Sequence, residues 1–246
     1  MSDSSNSGPR ITWAQRLRQL VEGESGPETG KTSNAFHRRT ALAAMLGGPA
    51  AALLVVGGKS EAAPGRGTNA DDFRSIRNHE NAHVEFLENA LGAAKRPMPT
   101  FKNLEQKRFI DFARVSQALE NVGCGAYLGA APVIFNRGIL AAAGSIALIE
   151  ARHAGFLNVY LGDPITGNAA NSATDNAFED PLTDEEVVTA AGGFFANLNG
   201  GPPVAYDDTP SAANDVKILN FALALEYLEA EFYNINVPKF FRGRNN

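Results

Sequence analysis

The sequence ENAH at residues 80–83 and the sequence EARH at residues 150–153 decide the fold. Both read Glu-x-x-His, and the pattern occurs nowhere else in the chain. Residues three apart on a helix share a face, so each motif projects a carboxylate and an imidazole to the same side. Apolar residues at steps of three and four surround each motif, which indicates that this side faces the interior of a helical protein.

The same periodicity predicts four long helices, near residues 71–94, 104–131, 137–161 and 214–234. No comparable run of alternating β-branched residues occurs, so a sheet is not expected. A Gly-, Pro- and Asn-rich connection of about residues 162–213 separates the last two helices. It holds one short helix, opened by the capping box Thr-Asp-Glu-Glu at its start. We expect an all-α four-helix bundle with this connection as a crossover that covers one end.

Composition narrows the class of protein further. The chain has 246 residues, of which 44% are hydrophobic and 20% are charged, as expected for one globular domain with an appendage. A net charge of −5 argues against nucleic-acid binding. The single cysteine, Cys124, excludes a disulfide within the chain and a cysteine-based metal cluster.

The four helices each offer a carboxylate on the inward face. Burying four carboxylates and two imidazoles is prohibitive unless cations compensate them. One Glu from each of two helices and a Glu-x-x-His from each of the other two form the di-iron or di-manganese site of four-helix bundles. Oxygen-rich ligands with one imidazole per ion suit iron or manganese. The predicted ligands of two iron or manganese ions are Glu80, His83, Glu120, Glu150, His153 and Glu226. The competing interpretation is a pair of surface Glu–His contacts.

Other side chains are expected close to this site. Glu229 could replace Glu226 as the ligand from the last helix. Tyr127 and Tyr233 are expected to support the ligands or to be core aromatic residues with a satisfied hydroxyl. Cys124 follows Glu120 by four residues and is expected either near the ions or as a small buried thiol. No catalytic residue is predicted, and His79 is expected to point into solvent.

Residues 78–87, 125–132, 149–154 and 219–233 resemble the ferritin-like domain of the desiccation-related protein family. The resemblance covers most of residues 70–235. It implies a ferritin-like four-helix bundle that is often exported. It also favours Glu226 over Glu229, because the seven-residue step to Tyr233 is similar to the spacing in ferritin-like first helices. In that family this helix comes first, whereas here it is last, which we interpret as a circular permutation.

Residues 1–63 are expected to be a leader and residues 64–246 the bundle domain. Paired arginines at 38–39, next to His37, precede an uncharged run at 40–58 and a small-residue stretch. This order resembles a twin-arginine (Tat) export signal. The alternatives are a retained membrane anchor and a buried helix. We therefore expect an exported protein, in the periplasm or cell envelope, that meets the Tat export machinery.

The predicted centre suits redox chemistry with O2 or peroxide, including ferrous oxidation, because two adjacent ions can each give one electron. The alternative is a non-catalytic, stress- or desiccation-associated structural or metal-binding domain. Iron storage is a third, weaker alternative because it needs a specific oligomer, for which the sequence shows no sign.

Overall fold

The computed structural model describes residues 69–241, so the predicted leader and His37 lie outside the described residues. The all-α four-helix prediction is confirmed. The helices are α1 (Asn69–Leu91), α2 (Phe109–Ala130), α3 (Arg137–Leu161), α4 (Asp184–Ala191) and α5 (Ala212–Phe240), of which α4 is the short helix of the long connection.

The bundle consists of two antiparallel pairs, α1 with α5 and α2 with α3. Arg74 near the start of α1 donates to the carbonyl of Phe241 at the end of α5, at 2.8 Å. Beyond the other end of α1, the backbone N–H of Arg96 donates to Asn220 near the start of α5, at 2.6 Å. Tyr127 contacts Glu226 and Tyr233 contacts Glu120, so α2 and α5 are also antiparallel. Helices α1 and α2 therefore run in the same direction, and residues 92–108 return along the length of the bundle.

Two helix boundaries differ from the sequence prediction by five residues or more. Helix α2 begins at Phe109 instead of residue 104, because Asn236 of α5 binds the backbone of the preceding segment. Its side chain accepts from Gln106 N at 2.9 Å and donates to Leu104 O at 2.9 Å. Helix α5 continues six residues beyond the predicted end at residue 234, through Pro238. Aromatic packing of its last turn stabilises this extension, since Phe240 stacks on Phe112 of α2.

The long connection runs along α2, so the prediction that it covers one end of the bundle is wrong. Leu182 N donates to Gly125 O at 3.0 Å. The carbonyl of Leu182 lies so close to Gly129 that a Cβ there would be 1.9 Å from the oxygen. With α3 on one side and this segment on the other, every residue from Leu119 to Tyr127 is buried.

The capping box at α4 is confirmed. Thr183 Oγ1 accepts from Glu186 N at 3.2 Å, and Glu186 Oε2 accepts from Thr183 N at 2.8 Å. A small sheet also exists, contrary to expectation: β1 (Thr100–Phe101) pairs antiparallel with β2 (Phe195–Asn197). This ribbon joins the two long connections to each other. With two and three residues, its strands are too short to show a period in the sequence.

Helix α3 is the one helix of residues 69–241 that is long and apolar enough to cross a membrane by length and composition. Helices in the cores of soluble proteins pass the same test. Here α3 packs along α2 and places Glu150 and His153 in the interior, with 0% and 5% of their surface exposed.

Candidate metal centre

The structure brings the six predicted ligands together in the middle of the bundle. They form two groups of four that share Glu80 and Glu150. His83 and Glu226 complete one group, and within each group the ligand atoms lie within 4.8 Å of one another. The second group is completed by Glu120 and His153. All four helices of the bundle thus contribute, and two carboxylates face both positions.

His83 marks the first position. Its Nδ1 atom lies 3.1 Å from Glu80 Oε2, 3.1 Å from Glu150 Oε1 and 3.3 Å from Glu226 Oε2. A ring nitrogen carries at most one hydrogen, so it can donate to only one of the three oxygens. Ligand atoms about 2.1 Å from an octahedral ion stand about 3.0 Å apart, which is close to the observed spacing. The three oxygens therefore stand at the distance from the ring nitrogen that is expected of neighbouring ligands around one ion.

His153 marks the second position in the same way. Its Nδ1 atom lies 3.0 Å from Glu80 Oε1 and 3.0 Å from Glu120 Oε2. The two oxygens of Glu80 therefore face different histidines. This is the arrangement of a carboxylate placed to bridge two ions.

The hydrogen bonding of three of the four carboxylates is incomplete. Glu80 Oε1, both oxygens of Glu150 and Glu226 Oε2 are buried, and the donors nearest to them are the two histidine nitrogens, each shared among several oxygens. An unsatisfied buried carboxylate oxygen costs several kcal/mol, so such oxygens call for cations. Two divalent ions would balance the four negative charges of the ligand glutamates. The donor set and its charge fit a pair of ions such as iron or manganese.

The pKa values of these groups show that the buried charges of the cluster shift one another's protonation. Burial, and then the charges of Glu80 and Glu120, raise the pKa of Glu150 well above its usual range. Burial also raises the pKa of Glu80, but contacts with the two histidines outweigh it and bring the pKa to about 2. Burial lowers the pKa of His153, yet the neighbouring carboxylates raise it to about 11 overall. The cluster thus holds protons where ions would otherwise supply positive charge.

Two tyrosines support the ligands from opposite sides. Tyr127 donates to Glu226 Oε1 at 2.5 Å, and Tyr233 donates to Glu120 Oε1 at 2.6 Å. Burial and then the neighbouring carboxylates raise the pKa of both hydroxyls, which keeps them protonated as donors. Each tyrosine fixes the oxygen of a ligand that serves only one position.

Glu229 and Cys124 lie near the site but belong to neither group. Burial, and then the charges of Glu120 and Glu226, raise the pKa of Glu229, so it is kept as a neutral acid. Burial also raises the pKa of the Cys124 thiol, so the group is not a thiolate.

Gly123 explains how a glutamate approaches α2 so closely. A Cβ at this position would lie 3.2 Å from Glu150 Oε2 and 3.5 Å from Glu229 Oε1. A Cβ here would crowd Glu150 and would be in ordinary contact with Glu229. The glycine therefore leaves room for the shared carboxylate.

His79 is exposed, as the sequence predicts, but its ring also contacts a predicted ligand. The ring does leave the inward face of α1, but it does not point only into solvent. Its Nδ1 atom lies 2.9 Å from Nε2 of His153, and the planes of the two stacked rings differ by 8°. If Nδ1 of His153 binds an ion, Nε2 carries the hydrogen and donates it to His79, which fixes the orientation of the ligand ring. The sequence signal was weak, because His79 precedes Glu80 directly and lies off the apolar stripe.

Comparison with protein families identifies the class. The profile of the family described as "Ferritin-like domain" matches residues 36–163 and 214–242. The chain belongs to this ferritin-like domain family. The two matched ranges contain all six predicted ligands, and the first begins inside the predicted leader. Searches of curated proteins and of solved structures found no match.

Proposed function

We propose that the protein binds two iron or manganese ions and carries out redox chemistry with O2 or peroxide, such as ferrous oxidation. The observation that carries the proposal is the pair of ligand groups that share Glu80 and Glu150. A pair of such ions supplies two electrons at one place when bound. Such a pair is suited to the two-electron reduction of O2 or peroxide.

The chain's own residues have three tasks in this proposal. Glu80 and Glu150 hold the two positions at a fixed separation. Tyr127 and Tyr233 hold the outer ligands by hydrogen bonds of 2.5 and 2.6 Å. The apolar residues around the cluster exclude water, which strengthens each of these charge interactions.

A second candidate function is a non-catalytic, structural role for the metal in a stress- or desiccation-associated protein. The closure of the site favours it, because Glu80, Glu120 and Glu150 each expose 0% of their surface. Structural metal sites are closed, whereas catalytic ones keep a position open.

Stopped-flow absorbance distinguishes the two functions. The metal-free protein is loaded anaerobically with ferrous iron and then mixed with O2 or with peroxide. Rapid conversion of ferrous to ferric iron in the wild type, and its loss in Glu150→Gln, supports the redox function. Tight binding of two ions with no oxidation on mixing supports the structural function and contradicts the redox one. Metal analysis of protein from its native compartment identifies the ion.

We also infer that the chain is a circular permutation of the usual ferritin-like order. The contact between Arg74 and the carbonyl of Phe241, at 2.8 Å, supports this. Because the end of α5 lies beside the start of α1, a short linker would join them in the usual order. A permuted gene in which residue 241 is linked to residue 69 and the chain begins at residue 211 is expected to fold and to bind the same metal. Loss of folding in that permutant would contradict the inference.

Export by the Tat machinery is a further proposal, supported by the arginine pair at residues 38–39. It fits a metalloprotein because that machinery carries folded cargo. The protein would then work in the periplasm or cell envelope, and it would be anchored if the leader is retained. N-terminal sequencing of the exported form is expected to give a start near residue 63. A start at residue 1 would indicate an anchor.

A further inference from the structure

A small, partly enclosed apolar cavity lies beside the candidate metal centre. Its volume is about 20 Å³, and residues from α1, α2, α3 and α5 line it, together with Ile134 of the turn between α2 and α3. One side of the cavity is the ring of Tyr127, whose hydroxyl binds Glu226 at 2.5 Å. One aromatic side chain therefore contacts both the cavity and a predicted ligand.

The position of the cavity follows from helix geometry. Leu87 follows His83 by four residues, Ile146 precedes Glu150 by four, and Ala222 precedes Glu226 by four; all three line the cavity. Four residues are about one turn, or about 6 Å along a helix. The cavity therefore lies about one helical turn from the metal positions, on the side toward the end of α1.

The lining selects the kind of molecule that fits. A cavity needs about 10–15 Å³ of this kind of volume to hold one water, and a buried water needs two to four polar partners. The residues that line this cavity are aliphatic, alanine or aromatic, and the one hydroxyl, that of Tyr127, is already engaged. The space therefore suits one small molecule that makes no hydrogen bonds.

The cavity also has a short route to the surface. Phe86 of α1 and Ala143 of α3 are the two lining residues that are only half-buried. The principal helix contacts are between α1 and α5 and between α2 and α3, so the seam between α1 and α3 is less tightly packed. Phe86 therefore marks the side of the cavity that lies nearest to the surface.

We propose that this cavity is a docking position for a small apolar gas, dioxygen, next to the metal centre. The choice of dioxygen rests on the proposed redox function, whereas the gas site itself rests on the cavity alone. The metal is not needed to form the site, because none of its lining residues is a predicted ligand.

Xenon tests the gas site in the full-length, metal-free protein. Methyl-labelled protein is titrated with xenon and followed by NMR. We expect shifts at Ile139, Ile146 and Leu219, which line the cavity. Ala142→Val fills the space and should lose these shifts. Ala113→Val makes the same change at a residue that is 0% exposed outside the cavity, and it should retain them.

A second variant keeps the test decisive if the filled protein fails to fold. Leu219→Ala enlarges the cavity and should increase the xenon-induced shifts. Absence of shifts in the wild type, or equal shifts in Ala142→Val, would overturn the gas site.

Reaction kinetics test the choice of dioxygen separately. After ferrous loading, Ala142→Val should bind two ions like the wild type but react more slowly with O2 than Ala113→Val does. Equal rates would overturn the dioxygen assignment. A wild type that binds xenon in the cavity but never oxidises ferrous iron would refute the proposed redox function and, with it, that assignment. The gas site would remain.

Discussion

Replacing Glu150 with Gln should stabilise the metal-free protein and weaken the metal-bound one. Both oxygens of Glu150 are buried, and His83 Nδ1, which lies 3.1 Å from Oε1, is shared with two other carboxylates. Burial therefore raises the pKa of this carboxyl well above its usual value of 4.5. Folding then requires a proton that the unfolded chain releases once the pH exceeds 4.5. Glutamine has the same shape and carries no charge, so it avoids this cost.

The magnitude follows from linkage. A raised carboxyl pKa leaves stability intact below the unfolded pKa and reduces it as the pH rises toward the folded pKa. The cost is about 1.4 kcal/mol per pH unit above 4.5, so its upper limit at pH 7 is about 3.5 kcal/mol. With chelator present, Glu150→Gln should therefore equal the wild type near pH 4.5 and exceed its stability by at most about 3.5 kcal/mol at pH 7.

Bound metal should reverse the order of stability of the wild type and Glu150→Gln. An ion at about 1,000 times its Kd adds about 4 kcal/mol of stability per site. Glu150 belongs to both ligand groups, so its loss should reduce the gain at both positions. The assay is guanidinium unfolding at pH 5 and pH 7, with chelator or with manganese. Glu85→Gln, at an exposed position of α1, is the control and should change neither series.

Two results would refute this reasoning. The first is a metal-free Glu150→Gln protein that is less stable than the wild type at pH 7. The second is a variant that retains two ions and the full metal-induced gain. The first result would contradict the raised pKa of Glu150. The second would mean that Glu150 is not the carboxylate shared by two cations.

The remaining predictions concern His79 and two glycines. His79→Ala should lower metal affinity by about 10–100-fold, because His153 loses the partner that orients its ring. Chelator competition measures the affinity, and the stability of the metal-free protein should change little. Unchanged affinity would contradict this role of His79. Gly129→Ala should destabilise the fold by at least about 1–3 kcal/mol, measured by urea unfolding, because its Cβ would lie 1.9 Å from Leu182 O. Gly144→Ala is the matched control: its Cβ meets no atom within 4 Å, and it should stabilise α3 by about 0.5–1 kcal/mol.

Periodicity was sufficient to predict α1, because it carries polar residues on one side and an apolar stripe that includes its Glu-x-x-His motif. Helix α3 has the second motif on its inward face, although several residues of its outward face, such as Leu148 and Val159, are apolar as well. It was less informative for α5, which is buried on nearly every side between Ile218 and Ala230. A helix without a polar face does not show which of its acids points inward. The spacing from Glu226 to Tyr233 had to supply that information.

The features that sequence could not predict are contacts between distant segments. Burial of α2 on two sides depends on Leu182 lying across it, more than fifty residues later in the chain. The contact of His79 with His153 depends on how α1 and α3 are rotated against each other. The start of α2 depends on Asn236, which binds the backbone before it. The local sequence pattern of a helix does not indicate which distant residues will contact it.

The division of the ligands into two groups also sets an order of events while the chain is synthesised. Every ligand of the position at His153 has been made once residue 153 has left the ribosome. The position at His83 waits for Glu226, which follows the long connection. We therefore expect the position at His153 to bind an ion before the position at His83 does. The last helix would then pack against an interior whose negative charge is already partly balanced.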